Sequence, residues 1–196
     1  MIGVLAYGSL ISEPGDELAA VIVGKKRDVL TPFRVEFARS SKNRCGAPTL
    51  VPVAADGRTV RAIIFEVSVS EREALDMVYR REINAVSSGK KYIEPEPDKR
   101  NAVRLDRFKK FEGFDVVIST RMAPNIASLS ADVLAGLAIA SAQELGDGRD
   151  GITYLMNAKA NGIETELSAA YERVILERTG ATGLAEALAA VRADVG

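Results

Sequence analysis

The chain has 196 residues, 47% of them apolar and 27% charged, and a formal net charge of −1. Those proportions suit one soluble globular domain and give no electrostatic reason to expect nucleic acid or an anionic membrane as a partner. Histidine is absent and cysteine occurs once, at Cys45, which excludes a Ser-His-Asp triad, a Cys-His pair, His-ligated zinc or haem, and an intramolecular disulfide. Any general acid or base must be a carboxylate, Lys, Tyr, Cys or a bound water.

Met1 leads straight into strand-like sequence, with no basic n-region and no long apolar run. A cytoplasmic protein without a signal peptide or a membrane span is therefore expected. The basic clusters Lys25-Lys26-Arg27 and Arg107-Phe108-Lys109-Lys110 read as solvated surface balanced by acidic residues elsewhere.

Residues 2–7 read as a strand that stops at Gly8, and Ser12-Glu13-Pro14-Gly15 as a loop; Glu17–Val23 fits either helix or strand. Phe33–Ala38 alternates apolar and polar residues, the period of a half-buried strand, and Thr49–Val53 continues that style. Asp56-Gly57 is a hairpin signal, with Thr59–Val67 as the strand returning from it.

The period then changes. Ser70 with Glu73 forms a capping box for a helix over about Glu71–Ile83, whose apolar stripe Leu75–Val78–Tyr79 leads to Glu82. Pro95 and Pro97 stop any strand begun at Tyr92-Ile93, whereas Ala102–Phe108 and Phe114–Thr120 read as two more strands. After Pro124 helices are expected over Ser130–Leu145, Asp150–Asn161, Glu164–Arg178 and Leu184–Val191, with Gly146-Asp147-Gly148 as the turn between the first two. The order predicts a single α+β domain, about 1–125 mainly strands plus one helix and 126–196 helical, with a small mixed sheet or barrel.

Several segments offer chemistry. Tyr7-Gly8-Ser9 follows the end of a strand, where glycine lets backbone N–H groups approach a carboxylate or an oxyanion; it also reads as a plain tight turn. Glu82, after Arg80 and Arg81, reads either as a carboxylate facing a pocket or as a salt-bridged helix end. Arg39-Ser40-Ser41-Lys42-Asn43-Arg44 reads as a donor-rich loop, for carboxylate recognition or simply exposed. Asp147-Gly148-Arg149-Asp150 lacks the ligand spacing of a calcium loop and is better read as a helix start capped by Asp150. Cys45 lacks an activating histidine and reads as a small packed residue.

The ordered set Tyr7-Gly8-Ser9-Leu10, Phe37-Ala38-Arg39-Ser40-Ser41 leading to Gly46-Ala47-Pro48, and Leu75-Asp76-x-x-Tyr79-Arg80-Arg81-Glu82 resembles the γ-glutamylcyclotransferase superfamily, most of all its ChaC-like branch. The resemblance covers about residues 2–125. It implies a small mixed β-barrel-like sheet with flanking helices and an enzyme that cyclises a γ-glutamyl amide, glutathione among the candidates, to 5-oxoproline. It further implies that Glu82 is the catalytic acid/base, that Tyr7, Gly8, Ser9, Leu10 and Ser41 bind the γ-glutamyl group, and that no metal or cofactor takes part. The chain departs from the family at Arg44-Cys45-Gly46-Ala47-Pro48, where the family has His-Arg-Gly-Thr-Pro, and at Ala123–Ala127, which supplies no tyrosine. An enzyme of this fold acting on another amide, a catalytically silent binding module, and a structural protein whose Tyr-Gly-Ser turn is only a turn are the alternatives.

Overall fold

A computed structural model describes residues 1–146 and 148–193; Asp147, part of the expected turn after the first C-terminal helix, lies outside them. The architecture is α+β, with a mixed sheet and several helices. The chain divides into two compact units, Met1–Thr31 with Arg61–Ala123, and Pro32–Val60 with Pro124–Gly196. The change from strands to helices near residue 125 is therefore not the line along which the units divide, because two strands belong with the helices.

The first unit holds a five-stranded sheet in the order β2-β5-β1-β7-β6, formed by β1 (Ile2–Ala6), β2 (Ile22–Leu30), β5 (Arg61–Val67), β6 (Arg104–Phe111) and β7 (Phe114–Arg121). β1 and β7 run parallel, with Val4 opposite Ile118, and every other pair is antiparallel. One face carries Val4, Ala6, Phe65, Val67, Leu105 and Ile118 in a core shared with Ala74, Leu75 and Val78 of α2 (Glu71–Glu82). The α2 N-terminus is closed by the expected capping box, Ser70 Oγ accepting from Glu73 N while the Glu73 carboxylate accepts from Ser70 N.

The segment that fitted either helix or strand is both in succession: a single helical turn, α1 (Asp16–Ala19), followed by β2. β2 is an edge strand, and its Lys25-Lys26-Arg27 run and two register irregularities are what keep such an edge from pairing with other chains.

The second unit pairs β3 (Arg34–Ser41) with β4 (Ala47–Val53) and adds α3 (Ala131–Glu144), α4 (Gly151–Ala160), α5 (Ser168–Thr179) and α6 (Leu184–Ala193). Here the hairpin expectation needs correction. Asp56 does adopt the left-handed conformation of a turn, at φ 54°, but β4 and β5 do not pair with each other. β4 lies against β3, and β5 lies between β2 and β1. The expected loop 39–44 is likewise corrected, since Arg39, Ser40 and Ser41 continue β3 and only Lys42–Arg44 turns, as one 3-10 turn. Phe37 is the aromatic centre of this unit, edge-on to Tyr154 and Tyr171 at 6.2 and 5.4 Å. Asp150 caps α4 as expected, accepting from Thr153 N at 2.8 Å. No helix among the described residues is long and apolar enough to cross a membrane.

Candidate active site

Five of the six expected site residues, Tyr7, Gly8, Ser9, Leu10 and Glu82, lie in the first unit. β1 ends at Ala6, and the chain turns through one 3-10 turn, Gly8–Leu10. Gly8 sits at φ 66°, a conformation that a side chain would strain. The turn is anchored on both sides: the Leu10 side chain is buried in the core, and the Tyr7 hydroxyl donates to Thr120 O at 3.0 Å. The leading N–H groups of such a turn, those of Gly8 and Ser9, have no acceptor within the turn itself.

Glu82 is the last residue of α2. Its side chain and that of Arg81 are only 17% and 15% exposed. Arg81 explains how they come to the turn. Its Nη1 donates to Glu82 Oε1 at 2.8 Å, its Nη2 to Ser9 Oγ at 3.1 Å, and its Nε to Glu13 O at 3.0 Å. One planar guanidinium thus ties the helix end, the Tyr-Gly-Ser turn and the following loop together, using the fork geometry that lysine lacks. The salt-bridged reading of Glu82 is the one observed: its carboxylate is ion-paired with Arg81, whose guanidinium also donates to Ser9 Oγ. Glu82 Oε2 takes no hydrogen bond from any described residue.

The neighbouring Arg80 has a different task. Its Nε donates to Glu17 at 2.8 Å and its Nη1 to Lys90 O at 2.9 Å, and Glu17 also accepts from Ser87 N. These bonds fix the segment that leaves α2. One turn earlier Asp76, fully buried, accepts from Tyr92 N at 2.7 Å and pairs with Arg72 and Lys91. Burial alone would raise the Asp76 carboxyl, but the bonds from Tyr92 and Lys91 and the nearby cations outweigh it and hold the group below its ordinary value. The Tyr92 phenol is pushed up to about 12, first by burial and then by its bond to Glu94.

Two hydroxyls at the end of β7, Ser119 Oγ and Thr120 Oγ1, are buried without a hydrogen-bond partner. Sequence reading passed over both, since serine and threonine inside a strand pattern carry no sign of their surroundings. Among the described residues no group of three His, Cys, Asp or Glu side chains is placed to hold a metal ion.

Ser41, the sixth expected residue, belongs to the second unit. It ends β3 half-buried, and its carbonyl accepts from Gly46 N at 2.9 Å. Arg44 donates to Arg149 O at 3.1 Å and lies 5.2 Å from the Tyr154 ring centroid, so it serves packing in that unit. Cys45 is half-buried and left-handed at φ 47°. The carboxylate that sequence reading missed is Glu36. Alternation placed it on the outer face of β3, yet it is 0% exposed. It accepts from Phe37 N at 2.8 Å, Thr165 Oγ1 at 2.5 Å and Leu167 N at 3.0 Å. A shallow groove of about 500 Å³ runs along α5, lined by Glu172, Arg173, Leu176 and Glu177 among others, and holds none of the expected residues.

No protein-family model matches this chain, and no curated protein sequence matches it.

Proposed function

We propose that the chain is a cytoplasmic γ-glutamylcyclotransferase-like enzyme, with the small mixed-sheet fold of that superfamily and with Glu82 as its acid/base. The observation that carries this reading is the Arg81 guanidinium, which holds Glu82 Oε1 and Ser9 Oγ at the same time. A helix end and a glycine turn are thereby brought to one place across the 72 residues between Ser9 and Arg81, as the resemblance requires.

The chemistry is that of a γ-glutamyl amide whose own α-amine is the nucleophile. That amine is mostly protonated at neutral pH. The free Oε2 of Glu82 takes one proton from the ammonium, and the amine then attacks the γ-carbonyl carbon, forming the new C–N bond of a five-membered lactam. Negative charge develops on the carbonyl oxygen, where the N–H groups of Gly8 and Ser9 stabilise it. The amide C–N bond breaks as Glu82 returns its proton to the leaving nitrogen; the ring nitrogen then loses its second proton through the freed Glu82 carboxylate to the departing amine, which leaves as an ammonium. Products are 5-oxoproline and the freed amine or peptide, and no cofactor is consumed. Because the nucleophile is carried by the substrate, the protein's main contribution is to fold it into an attack geometry.

A second reading, a catalytically silent binding module for a small amine or carboxylate, is favoured by the same ion pair, since a carboxylate already matched by Arg81 has a structural use. Release of 5-oxoproline from a panel of γ-glutamyl compounds, glutathione included, separates the two. Wild type should turn over at least one member, and Glu82→Gln should lower kcat by about 10²–10⁴-fold, the range for loss of a general acid/base. No lactam from any compound, with the protein folded, would leave the binding module as the better account.

A further inference from the structure

We infer that Arg81 is the positioning residue of this site: it fixes which oxygen of Glu82 works, and holds that oxygen in register with the Gly8–Leu10 turn. The inference rests on the reading of Glu82 as the acid/base.

The argument begins with the distribution of its donors. Every edge of the guanidinium is used, and each of its three acceptors belongs to a different part of the site: Glu82 at the helix end, Ser9 in the turn, and the Glu13 carbonyl in the loop beyond it. A solvated surface arginine has no such arrangement, and at 15% exposure this one has lost most of its water. The surroundings are shaped to it as well. Gly15 is left-handed at φ 80°, and a Cβ there would lie 3.3 Å from Arg81 Cγ. Glycine at that position therefore leaves room for the arginine stem to lie along the loop.

The consequence for Glu82 is specific. Oε1 is occupied by Arg81 Nη1, and Oε2 takes no hydrogen bond from a described residue. Only Oε2 is left to accept the substrate's proton and to return it. Fixing Oε1 also fixes the plane of the carboxylate, so the direction of the Oε2 lone pairs is set before substrate arrives, the preorganisation that makes proton transfer efficient. Because the same guanidinium holds Ser9, the base and the oxyanion donors move as one piece.

The test uses the full chain with Arg81→Met and Arg81→Lys, beside Glu82→Gln, measuring kcat per folded molecule and KM for 5-oxoproline release. Arg81→Met should lower kcat about 100-fold, the cost of a catalytic group misplaced by an ångström. KM should change far less than kcat, because the arginine orients the base and is not itself a contact to substrate. Arg81→Lys, which keeps the charge but cannot reach Glu82, Ser9 and Glu13 together, should recover only part of the loss and leave kcat about tenfold low. A merely structural arginine would lower activity only in proportion to folded protein and leave kcat per folded molecule at the wild-type value. An active wild type, an inactive Glu82→Gln, and an Arg81→Met with full kcat per folded molecule would overturn this inference alone. A wild type that releases no lactam would overturn the reading of Glu82 and this inference with it.

Discussion

Glu36 is the residue whose replacement most directly probes how the second unit holds together. Its carboxylate, contributed by β3, reaches the start of α5 and accepts from Leu167 N, with further bonds from Thr165 Oγ1 and Phe37 N. Leu167 occupies the N-cap position and has no side-chain cap of its own, so Glu36 caps the helix from 131 residues away. Glu36→Gln keeps the volume but puts an NH2 where an oxygen accepted. Whichever way the amide turns, it meets a backbone N–H, Phe37 on one side or Leu167 on the other, and leaves that donor buried and unpaired. The cost of one such orphan is about 1–3 kcal/mol, a fall of several degrees in Tm for a chain of this size. Burial raises the Glu36 pKa above its ordinary 4.5, in spite of the hydrogen bonds that lower it. The sign follows: a folded-state pKa above the unfolded one favours the neutral acid in the fold. That contribution is fully present below about pH 4.5 and is lost as pH rises through the higher folded value. The protonated acid also retains an oxygen that accepts a hydrogen bond where the amide nitrogen cannot. Thermal denaturation at pH 5 and pH 8 should therefore show the variant clearly less stable at pH 5, with the gap narrowing at pH 8. A Glu36→Gln protein as stable as wild type at pH 5, with the same pH slope, would refute the capping argument.

Other substitutions test the remaining structure. A Cβ at Gly151 would lie 2.7 Å from Ala138 Cα and 3.0 Å from Pro48 Cδ, so Gly151→Ala should lose about 1–3 kcal/mol to overpacking, outweighing the roughly 1 kcal/mol that alanine gains in a helix. Urea denaturation reads that sign, and an increase in midpoint would count against the close approach of α3 to α4. The Tyr92 hydroxyl donates to Glu94 at 2.6 Å and accepts from Leu105 N at 3.1 Å; Tyr92→Phe should cost about 1–3 kcal/mol for the buried N–H it strands. The same variant should remove from the ultraviolet titration a phenol ionising at about pH 12, and an unchanged titration would place the Tyr92 ring elsewhere.

How much of this could be read from the sequence depends on the range of the interaction. The capping box of α2, the Asp150 cap and the strands β1, β6 and β7 rest on residues within a few positions of one another, and each stands where local pattern put it. β2 was hidden by its Lys25-Lys26-Arg27 run, which is a sign of solvent in a loop and equally of an edge strand. At Asp56-Gly57 the turn was legible and the pairing was not, because a left-handed residue turns the chain without choosing the partner strand. Glu36 could not be found by period, since its acceptor role is defined by Thr165 and Leu167, with no trace near residue 36.

The candidate site shows the same division at closer quarters. Gly8 and the last turn of α2 were legible, but the link between them was not. Helix periodicity sets adjacent residues on different faces, so Arg81 reads as pointing away from whatever Glu82 faces. A long side chain at a helix end escapes that rule, and here it reaches back to Glu82 and across to Ser9. One residue with an unpaired hydroxyl, Thr120, borders this region, since its carbonyl accepts from the Tyr7 hydroxyl. β1 and β7 form the parallel pair of the first unit, and in open sheets the carboxyl ends of parallel strands are where ligands gather. Val4 stands opposite Ile118, so Ala6 and Thr120 close the row on the face that α2 covers. A buried hydroxyl left unpaired costs about 1–3 kcal/mol, and three occur among the described residues: Tyr171 in the second unit, and Ser119 and Thr120 near the end of β7. Thr120 shares the face of Ala6 and its carbonyl anchors the Tyr7 hydroxyl, whereas Ser119, one residue earlier, points to the opposite face of the sheet, so the two hydroxyls are orphaned in different surroundings.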